Sequence, residues 1–186
     1  MTGMRLFIAS SFEPGFLKVL EDIRDYARDK AGKDSVKWVE GRNLHLTYVF
    51  LGEVPDAAPV ARIMESALEG CRAFRVGSGG LGAFPSSRNP RVLWISVAEG
   101  AELLRGVNGR LAEALTAGGI QFEDRFEPHI TLGRVKRQLP DNFFRRAADY
   151  ASAKRVSSAI ASVDLMQSVS SPEGPVYRKI VSKSLL

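Results

Sequence analysis

Residues 43–50 read NLHLTYVF, and residues 128–135 read PHITLGRV. Together the two stretches hold both histidines of the chain, each followed two places later by a threonine: His45 and Thr47, then His129 and Thr131. Alternate side chains of a β-strand point to the same face. We therefore predict that each stretch is a strand that presents an imidazole and a hydroxyl on one face and buries its intervening leucine or isoleucine on the other.

The rest of the pattern predicts an α+β protein. Apolar residues recur at helical spacing over residues 15–29, 56–71, 100–117 and 141–153, with Asp56 as an N-cap. Strands are predicted over residues 4–12, 36–39, 44–52, 74–84, 91–98, 126–135, 157–169 and 176–186. They do not alternate regularly with the helices, which disfavours a doubly wound parallel sheet. Each half runs strand, helix, His-x-Thr strand, helix without a linker, so we expect one domain over residues 1–186 with two pseudo-symmetric lobes.

A chain of 186 residues is long enough for one sizeable core, and 45% hydrophobic and 25% charged residues are ordinary for a globular protein. No apolar run approaches the roughly 20 residues of a membrane span, and the first residues lack the cationic lead of a signal peptide. Cys71 is the only cysteine, so no internal disulfide is expected. Without a His, Asp or Glu cluster at ligand spacing, we expect a cytoplasmic protein with no metal, no cofactor and no membrane partner.

The charge balance suits an anionic partner. The chain has 26 basic and 21 acidic side chains, a net charge of +5 and a pI near 9.6. Three basic pairs follow the second histidine: Lys136-Arg137, Arg145-Arg146 and Lys154-Arg155. Solvated helix faces are the simpler explanation for such pairs, and contact with phosphate is the alternative.

Residues 77–82, GSGGLG, resemble the glycine fingerprint of dinucleotide-binding folds. That fingerprint requires a helix to begin at the glycines, so that its N-terminus meets the pyrophosphate. Phe84 and Pro85 follow instead and lead into another turn, so we do not expect a dinucleotide site.

The two His-x-Thr motifs suit in-line displacement at a phosphodiester. A neutral imidazole takes a proton from the attacking water and a protonated imidazole gives one to the departing oxygen, because a reference pKa of about 6.5 allows both states. Threonine hydroxyls donate hydrogen bonds to the non-bridging oxygens. A lone strand histidine is more often structural, yet the two histidines precede two of only four threonines: Thr2, Thr47, Thr116 and Thr131. This coincidence favours function.

Several stretches resemble one family of enzymes: residues 4–9 (MRLFIA), 38–54 (WVEGRNLHLTYVFLGEV), 80–94 (GLGAFPSSRNPRVLW), 126–135 (FEPHITLGRV) and 174–180 (GPVYRKI). With them the chain resembles the bacterial and archaeal RNA 2',3'-cyclic phosphodiesterases, also described as 2'-5' RNA ligases, of the 2H phosphoesterase superfamily. The resemblance covers nearly the whole chain. It implies a two-lobed, LigT-like α+β fold in which antiparallel sheets face a central cleft, with the helices outside.

The resemblance also implies metal-independent hydrolysis of a 2',3'-cyclic phosphate at an RNA end to a 2'-phosphate. By that likeness, His45 is the proton donor to the 3' oxygen and His129 is the proton acceptor that activates water. Thr47 and Thr131 match the threonines that hold the phosphate. The chemistry of the residues alone does not order the two histidine roles. The implied partner is an RNA with a cyclic phosphate end or a small cyclic nucleotide, bound by a protein that we expect to be monomeric.

Arg134 is a candidate substrate contact, because it matches an arginine that follows the second motif in the family. Strand alternation counts against this contact, since Arg134 then points away from the face that carries His129. A bulge or twist at Gly133 would re-aim the arginine toward that face.

Phe50 is the second candidate contact, because an aromatic ring at the rim of the cleft can stack on a base. Alternation sets it on the face opposite His45, so a core position is favoured over stacking. Trp38 and Trp94 are assigned to the core, and Tyr48 indicates variation near the rim of the cleft.

Three alternatives stay open at the level of the sequence. The same site can act on small cyclic nucleotide phosphates or on 2'-5' linked oligonucleotides. The same acid and base also serve the ligating direction, which forms a 2'-5' linkage. In the third alternative the chain is a non-catalytic RNA-binding module whose histidines contact phosphate.

Overall fold

The computed structural model describes residues 3–172 and 174–186, so that Thr2 lies outside the described residues. The described residues form nine strands: β1 (Met4–Ser10), β2 (Val36–Trp38), β3 (Leu46–Val54), β4 (Phe74–Ser86), β5 (Asn89–Glu99), β6 (His129–Val135), β7 (Ser157–Ile160), β8 (Ser162–Ser171) and β9 (Gly174–Ser184). They also form four α-helices: α1 (Pro14–Ala31), α2 (Ala57–Ala67), α3 (Ala101–Ala117) and α4 (Phe143–Ala153). The predicted α+β class is confirmed.

The strands form one curled antiparallel sheet in the order β7-β4-β5-β6-β3-β1-β8-β9, with β2 also paired to β6. Strands β3, β1, β8 and β9 form the first lobe, against which α2 and α3 pack. Strands β7, β4, β5, β6 and β2 form the second lobe, which carries α1 and α4. Between β3 and β6 the register contains a single residue pair, Leu46 with Ile130. The two lobes therefore join at the two histidine motifs.

Each helix buries one stripe of side chains, as its apolar spacing predicts. In α1 the buried residues recur at spacings of three and four positions: Phe16, Leu20, Ile23, Ala27 and Ala31. The helix ends before Gly32, whose φ of +85° suits glycine. The Asp56 carboxylate caps α2 by accepting a 3.0 Å hydrogen bond from the Ala58 amide, which confirms the predicted N-cap. No helix among the described residues is both long and apolar enough to cross a membrane.

The residues between each histidine and its threonine are anchored in the core, as predicted. Leu46 and Ile130 are each 0% exposed and face one another across the joint between the lobes. Leu44 and Leu132 are buried as well. Full burial of such a side chain contributes roughly 1.5–3 kcal/mol to the stability of the fold. Packing of these apolar side chains in the core therefore fixes both motif strands, with their polar side chains on the opposite face.

The strand predicted over residues 157–169 is wrong as a single element. Its first part, β7, pairs with β4 in the second lobe, and its second part, β8, pairs with β1 in the first lobe. The exposed Ala161 lies between them, where the chain passes from one lobe to the other. The buried positions shift by one between Ile160 and Val163, which marks an interruption but does not show that the two parts belong to different lobes.

Three bulges interrupt the register of the strands that carry the motifs. Tyr48 and Leu51 of β3 have no partner in β1, and Leu132 of β6 has none in β5. Because side chains alternate with a period of two, one extra residue reverses the face of every side chain beyond it. Side chains that follow the motifs therefore do not point where simple alternation predicts.

Candidate active site

The single residue pair that joins β3 to β6 brings the two His-x-Thr motifs side by side. In antiparallel register the residues that flank this pair face one another, which sets His45 opposite Thr131 and Thr47 opposite His129. Directly opposite residues lie about 4.5–5.5 Å apart between their Cα atoms. The intervening side chains point into the core, so alternation sets both imidazoles and both hydroxyls on the other face, where the charge of His129 acts on His45.

Each imidazole is fixed by the main chain two residues upstream. The Nδ1 atom of His45 lies 2.6 Å from the carbonyl oxygen of Asn43, and that of His129 lies 2.6 Å from the carbonyl oxygen of Glu127. A carbonyl oxygen only accepts hydrogen bonds, so each Nδ1 carries the hydrogen and donates. Each Nε2 is therefore the ring nitrogen that is left to take up or release a proton.

Aromatic rings flank both imidazoles. The ring centroid of His45 lies 5.1 Å from that of Phe7 and 5.3 Å from that of Tyr177, which presents its edge. The second histidine lies in an equivalent setting, 5.1 Å from Phe84 and 6.3 Å from Trp94. These rings limit the rotation of the imidazoles and shield them from water.

Burial lowers the pKa of both histidines below its ordinary value of 6.5. For His45 the hydrogen bond to Asn43 opposes this effect, while the charge of His129 lowers the pKa further. For His129 the hydrogen bond to the Glu127 carbonyl and the Glu127 carboxylate both oppose the effect of burial.

A bulge in β6 re-aims Arg134, as the sequence allowed. The bulge lies at Leu132, one residue before the predicted position at Gly133. Beyond Leu132, Arg134 lines a cavity of about 250 Å³ together with His45. Gly133 is instead required for close packing, because a Cβ atom there would lie 2.6 Å from Cγ1 of Val36 in β2. Contact between Arg134 and a substrate stays a prediction.

The assignment of Phe50 to the core is wrong. Its side chain is 48% exposed and lines the same cavity as His45, with its ring centroid 6.4 Å from that of Phe7. The bulge at Tyr48 is the physical reason, because it turns the following residues of β3 by one position. The bulge arises from pairing with β1, which no local pattern reveals.

Tyr48 and Trp94 also differ from their predicted positions. Tyr48 is not at the rim but 3% exposed, with its hydroxyl 3.1 Å from the Ser10 hydroxyl oxygen. Trp94 is only half-buried and lies beside His129, so it belongs to the wall of the site as well as to the packing of its lobe. Trp38 packs against the core as assigned.

Sequence reasoning missed three aromatic residues of the site: Phe7, Phe84 and Tyr177. The only available signal was indirect, since each lies within a stretch that carries the family resemblance. Tyr177 lies on β9 and reaches the cluster because β9 pairs with β8 and β8 with β1, a path that links distant parts of the chain.

The basic pairs after the second motif have different environments. The Lys154 ammonium lies 5.5 Å above the Tyr150 ring, and the Arg155 guanidinium donates a 2.8 Å hydrogen bond to the Ser78 carbonyl. These two residues therefore make contacts within the second lobe. Lys136 and Arg137 instead line an open groove. Among residues 3–172 and 174–186, no group of three or more His, Cys, Asp or Glu side chains is arranged to hold a metal ion.

Comparison with known proteins relates the chain to one family. A family model described as the 2'-5' RNA ligase superfamily matches residues 13–170. The chain is 36% identical to the RNA 2',3'-cyclic phosphodiesterase of Archaeoglobus fulgidus, over 95% of this chain and 98% of that protein. It is 32% identical to the protein of the same name from Thermotoga maritima, over 94% of this chain and 92% of that protein.

Solved structures share the fold of the chain. The protein TT0787 of Thermus thermophilus aligns with a TM-score of 0.74 at 28% identity, and E. coli LigT complexed with 3'-AMP aligns with a TM-score of 0.73 at 24% identity. Each alignment covers 98% of both chains. These matches confirm the two-lobed, LigT-like fold that the sequence resemblance implies.

Proposed function

Because this chain belongs to the 2'-5' RNA ligase superfamily, we propose that it is an RNA 2',3'-cyclic phosphodiesterase that converts cyclic phosphate ends to 2'-phosphates. Relatives that carry this name match over nearly their whole length, which supports the same activity here. The observation that carries the proposal is the matched pair of histidines, each with Nδ1 held by a carbonyl oxygen and Nε2 left for proton transfer.

The reaction needs one neutral and one protonated imidazole. His129 Nε2 takes a proton from water as the water oxygen bonds to phosphorus, and His45 Nε2 gives its proton to O3' as the P–O3' bond breaks. The product is a 2'-phosphomonoester with a free 3'-hydroxyl. The two imidazoles end with exchanged protonation states, and proton exchange with solvent restores the pair.

The remaining site residues bind the substrate in this proposal. The Thr47 and Thr131 hydroxyls donate hydrogen bonds to the non-bridging oxygens, where negative charge grows in the transition state. The Arg134 guanidinium, in the cavity that also holds His45, pairs with phosphate charge. Phe50 lines the same cavity and offers its exposed ring for stacking on a base.

Histidine variants test the proposal. His45→Ala and His129→Ala should each lower kcat on a cyclic-phosphate-ended RNA by about 10²–10⁴-fold in EDTA, because each removes one proton-transfer group. The thermal unfolding midpoint serves as the control for an intact fold. Full turnover in either variant, or a strict requirement for added metal, would contradict the mechanism.

An activated ester separates the two histidine roles, which the chemistry of the residues alone does not order. A 3'-deoxynucleoside 2'-(4-nitrophenyl) phosphate diester releases a leaving group that needs no acid, and it lacks the 3'-hydroxyl that would otherwise displace nitrophenolate in place of water. His45→Ala should therefore regain most of its activity on this substrate, whereas His129→Ala should not. Recovery by His129→Ala alone would reverse the two roles.

The family description favours 2'-5' ligation as a second activity. An RNA 5'-hydroxyl in the place of water would attack phosphorus, release O3' and leave a 2'-5' phosphodiester, with the same two proton transfers. Incubation with a cyclic-phosphate-ended RNA and an acceptor that carries a 5'-hydroxyl should give a 2'-5' linked product. RNA binding with strong salt dependence but no conversion of the cyclic end would indicate a binding module instead.

A further inference from the structure

A concave surface larger than the cavity beside His45 lies away from the histidines. It is a groove of about 860 Å³ on the second lobe, between the β4–β5 hairpin and the loop from β6 to α4. Five basic side chains line this basic groove: Arg88, Arg91, Arg134, Lys136 and Arg137. Antiparallel pairing of β5 with β6 brings these elements together, with Val92 opposite Arg134.

The charge of the basic groove is concentrated and unbalanced. All five basic side chains are exposed, and the lining contains one carboxylate, Asp141. Within the part of the chain that the structure describes, none of the five lies within 4.0 Å of a carboxylate oxygen. With five cations and one carboxylate the groove has a local charge of +4, and the whole chain has a net charge of +5. Scattered solvated cations would not concentrate the charge of the chain in one concave surface.

The basic groove is continuous with the candidate active site. Arg134 lines both the groove and the cavity that holds His45. Beyond Arg134 the groove leads away from the candidate active site, so an RNA chain that extends from a nucleotide bound at the histidines can reach its other basic side chains.

The lining also offers a surface for bases. Phe144 is half-buried at the start of α4 and presents part of its ring to the groove. Cations that follow a backbone, combined with an aromatic ring on which a base stacks, are the features of single-strand binding sites.

We propose that the basic groove binds the single-stranded RNA upstream of the cyclic phosphate, so that the preferred substrate is an RNA chain and not a mononucleotide. This inference rests on the proposed function and names its substrate class. Phosphates in the groove release counterions from the RNA, so binding should weaken with salt at a slope of about −0.7 per phosphate contacted.

The test compares two substrates, a single-stranded RNA of about ten nucleotides with a cyclic phosphate end and a nucleoside 2',3'-cyclic monophosphate. Two double variants reverse groove charge and spare Arg134: Arg88→Glu with Arg91→Glu, and Lys136→Glu with Arg137→Glu. The matched control is Arg62→Glu with Arg110→Glu, which changes two exposed arginines of α2 and α3 on the first lobe.

Each groove variant should raise KM for the RNA by about tenfold or more and flatten its salt dependence. The mononucleotide should be turned over as by the wild type, and the control should resemble the wild type on both substrates. Equal effects on RNA and mononucleotide, or no effect on RNA, would overturn the basic groove as the RNA site.

A binding measurement keeps the two proposals separate. If wild-type protein turns over neither substrate, the proposed function fails. The dissociation constant of a fluorescent RNA is then read directly, and an unchanged value in the groove variants overturns the groove proposal without reference to activity. Weaker binding in the groove variants, with the control unchanged, supports it.

Discussion

Both imidazoles donate Nδ1–H to a carbonyl oxygen two residues upstream, so the local backbone orients each ring without help from a carboxylate. In a Ser-His-Asp triad the carboxylate also stabilises the protonated imidazole. A main-chain carbonyl orients the ring but stabilises the protonated imidazole less than a carboxylate does. Burial is accordingly the largest influence on the pKa of both rings, and it lowers the pKa. Burial therefore favours the neutral form of both imidazoles. Protonation of either imidazole depends on pH and on the binding of an anionic substrate.

The lowered pKa values predict the pH dependence of the reaction. The active form carries one proton on the pair, and kcat/KM reports the free enzyme. Because the pKa of each histidine lies below 6.5, the singly protonated pair is most abundant below that pH and declines above it. We expect a bell-shaped profile of kcat/KM with its maximum below pH 6.5.

The profile of kcat provides the control for this prediction. Bound phosphate carries negative charge, which favours the protonated imidazole, so the maximum of kcat should lie at higher pH than that of kcat/KM. A maximum of kcat/KM above pH 6.5 would show that burial does not govern the proton affinity of the pair.

The bulges show how an element can be predicted while its side-chain directions are not. The existence of β3 and β6 follows from alternation around His45 and His129, and the burial of Leu46 and Ile130 follows from the same pattern. The exposure of Phe50 does not, because the bulge at position 48 depends on how β3 pairs with a strand more than thirty residues earlier. Local patterns predict elements, and pairing between elements decides which side chains reach the cleft.

Gly133 offers a prediction about β6. A Cβ atom there would lie 2.6 Å from Val36 Cγ1 and 3.1 Å from both the Lys37 oxygen and Trp38 Cε3. Gly133→Ala should therefore push β2 away from β6 and lower the free energy of unfolding by about 1–3 kcal/mol, measured by urea denaturation. Because the neighbouring Arg134 would move, turnover of cyclic-phosphate RNA should also fall.

Gly109→Ala is the matched control for that substitution. Gly109 lies within α3, where an added Cβ would meet nothing within 4 Å. Alanine there should raise the free energy of unfolding by about 0.5–1 kcal/mol, because glycine loses more backbone entropy on folding. A Gly133→Ala variant as stable as the wild type would mean that the close contact between β2 and β6 does not require glycine at position 133.

For the molecule as a whole, the joint between the lobes is the feature on which the candidate site depends. One residue pair joins β3 to β6, and the two histidines lie directly beside it on opposite strands. The relative position of the imidazoles is thus set by packing at the joint and by the helices on either lobe. The two-lobed fold was predictable here through family resemblance, whereas alternation alone did not assign β7 and β8 to different lobes.

Ile130 tests this dependence. Ile130→Val removes one methylene at the joint, and Ile160→Val removes the same group from β7, where the isoleucine is also 0% exposed. Each should cost about 0.5–1.5 kcal/mol of unfolding free energy. Only Ile130→Val should lower kcat, by about fivefold, because small displacements of reacting groups reduce rates steeply. Equal kcat values for the two variants would show that the histidine strands tolerate a cavity at the joint.

The order of strands across the first lobe also bears on how the protein is made. Strands β1 and β3 come early in the chain, but β8, which pairs with β1, and β9, which pairs with β8, are synthesised after every strand of the second lobe. The second lobe therefore has all of its strands before β8, the second partner of β1, has been synthesised. Such non-local pairing slows folding and leaves an unpaired strand edge exposed in the nascent chain, where aggregation competes. The order of strands therefore predicts that the His45 side of the cleft folds after the second lobe.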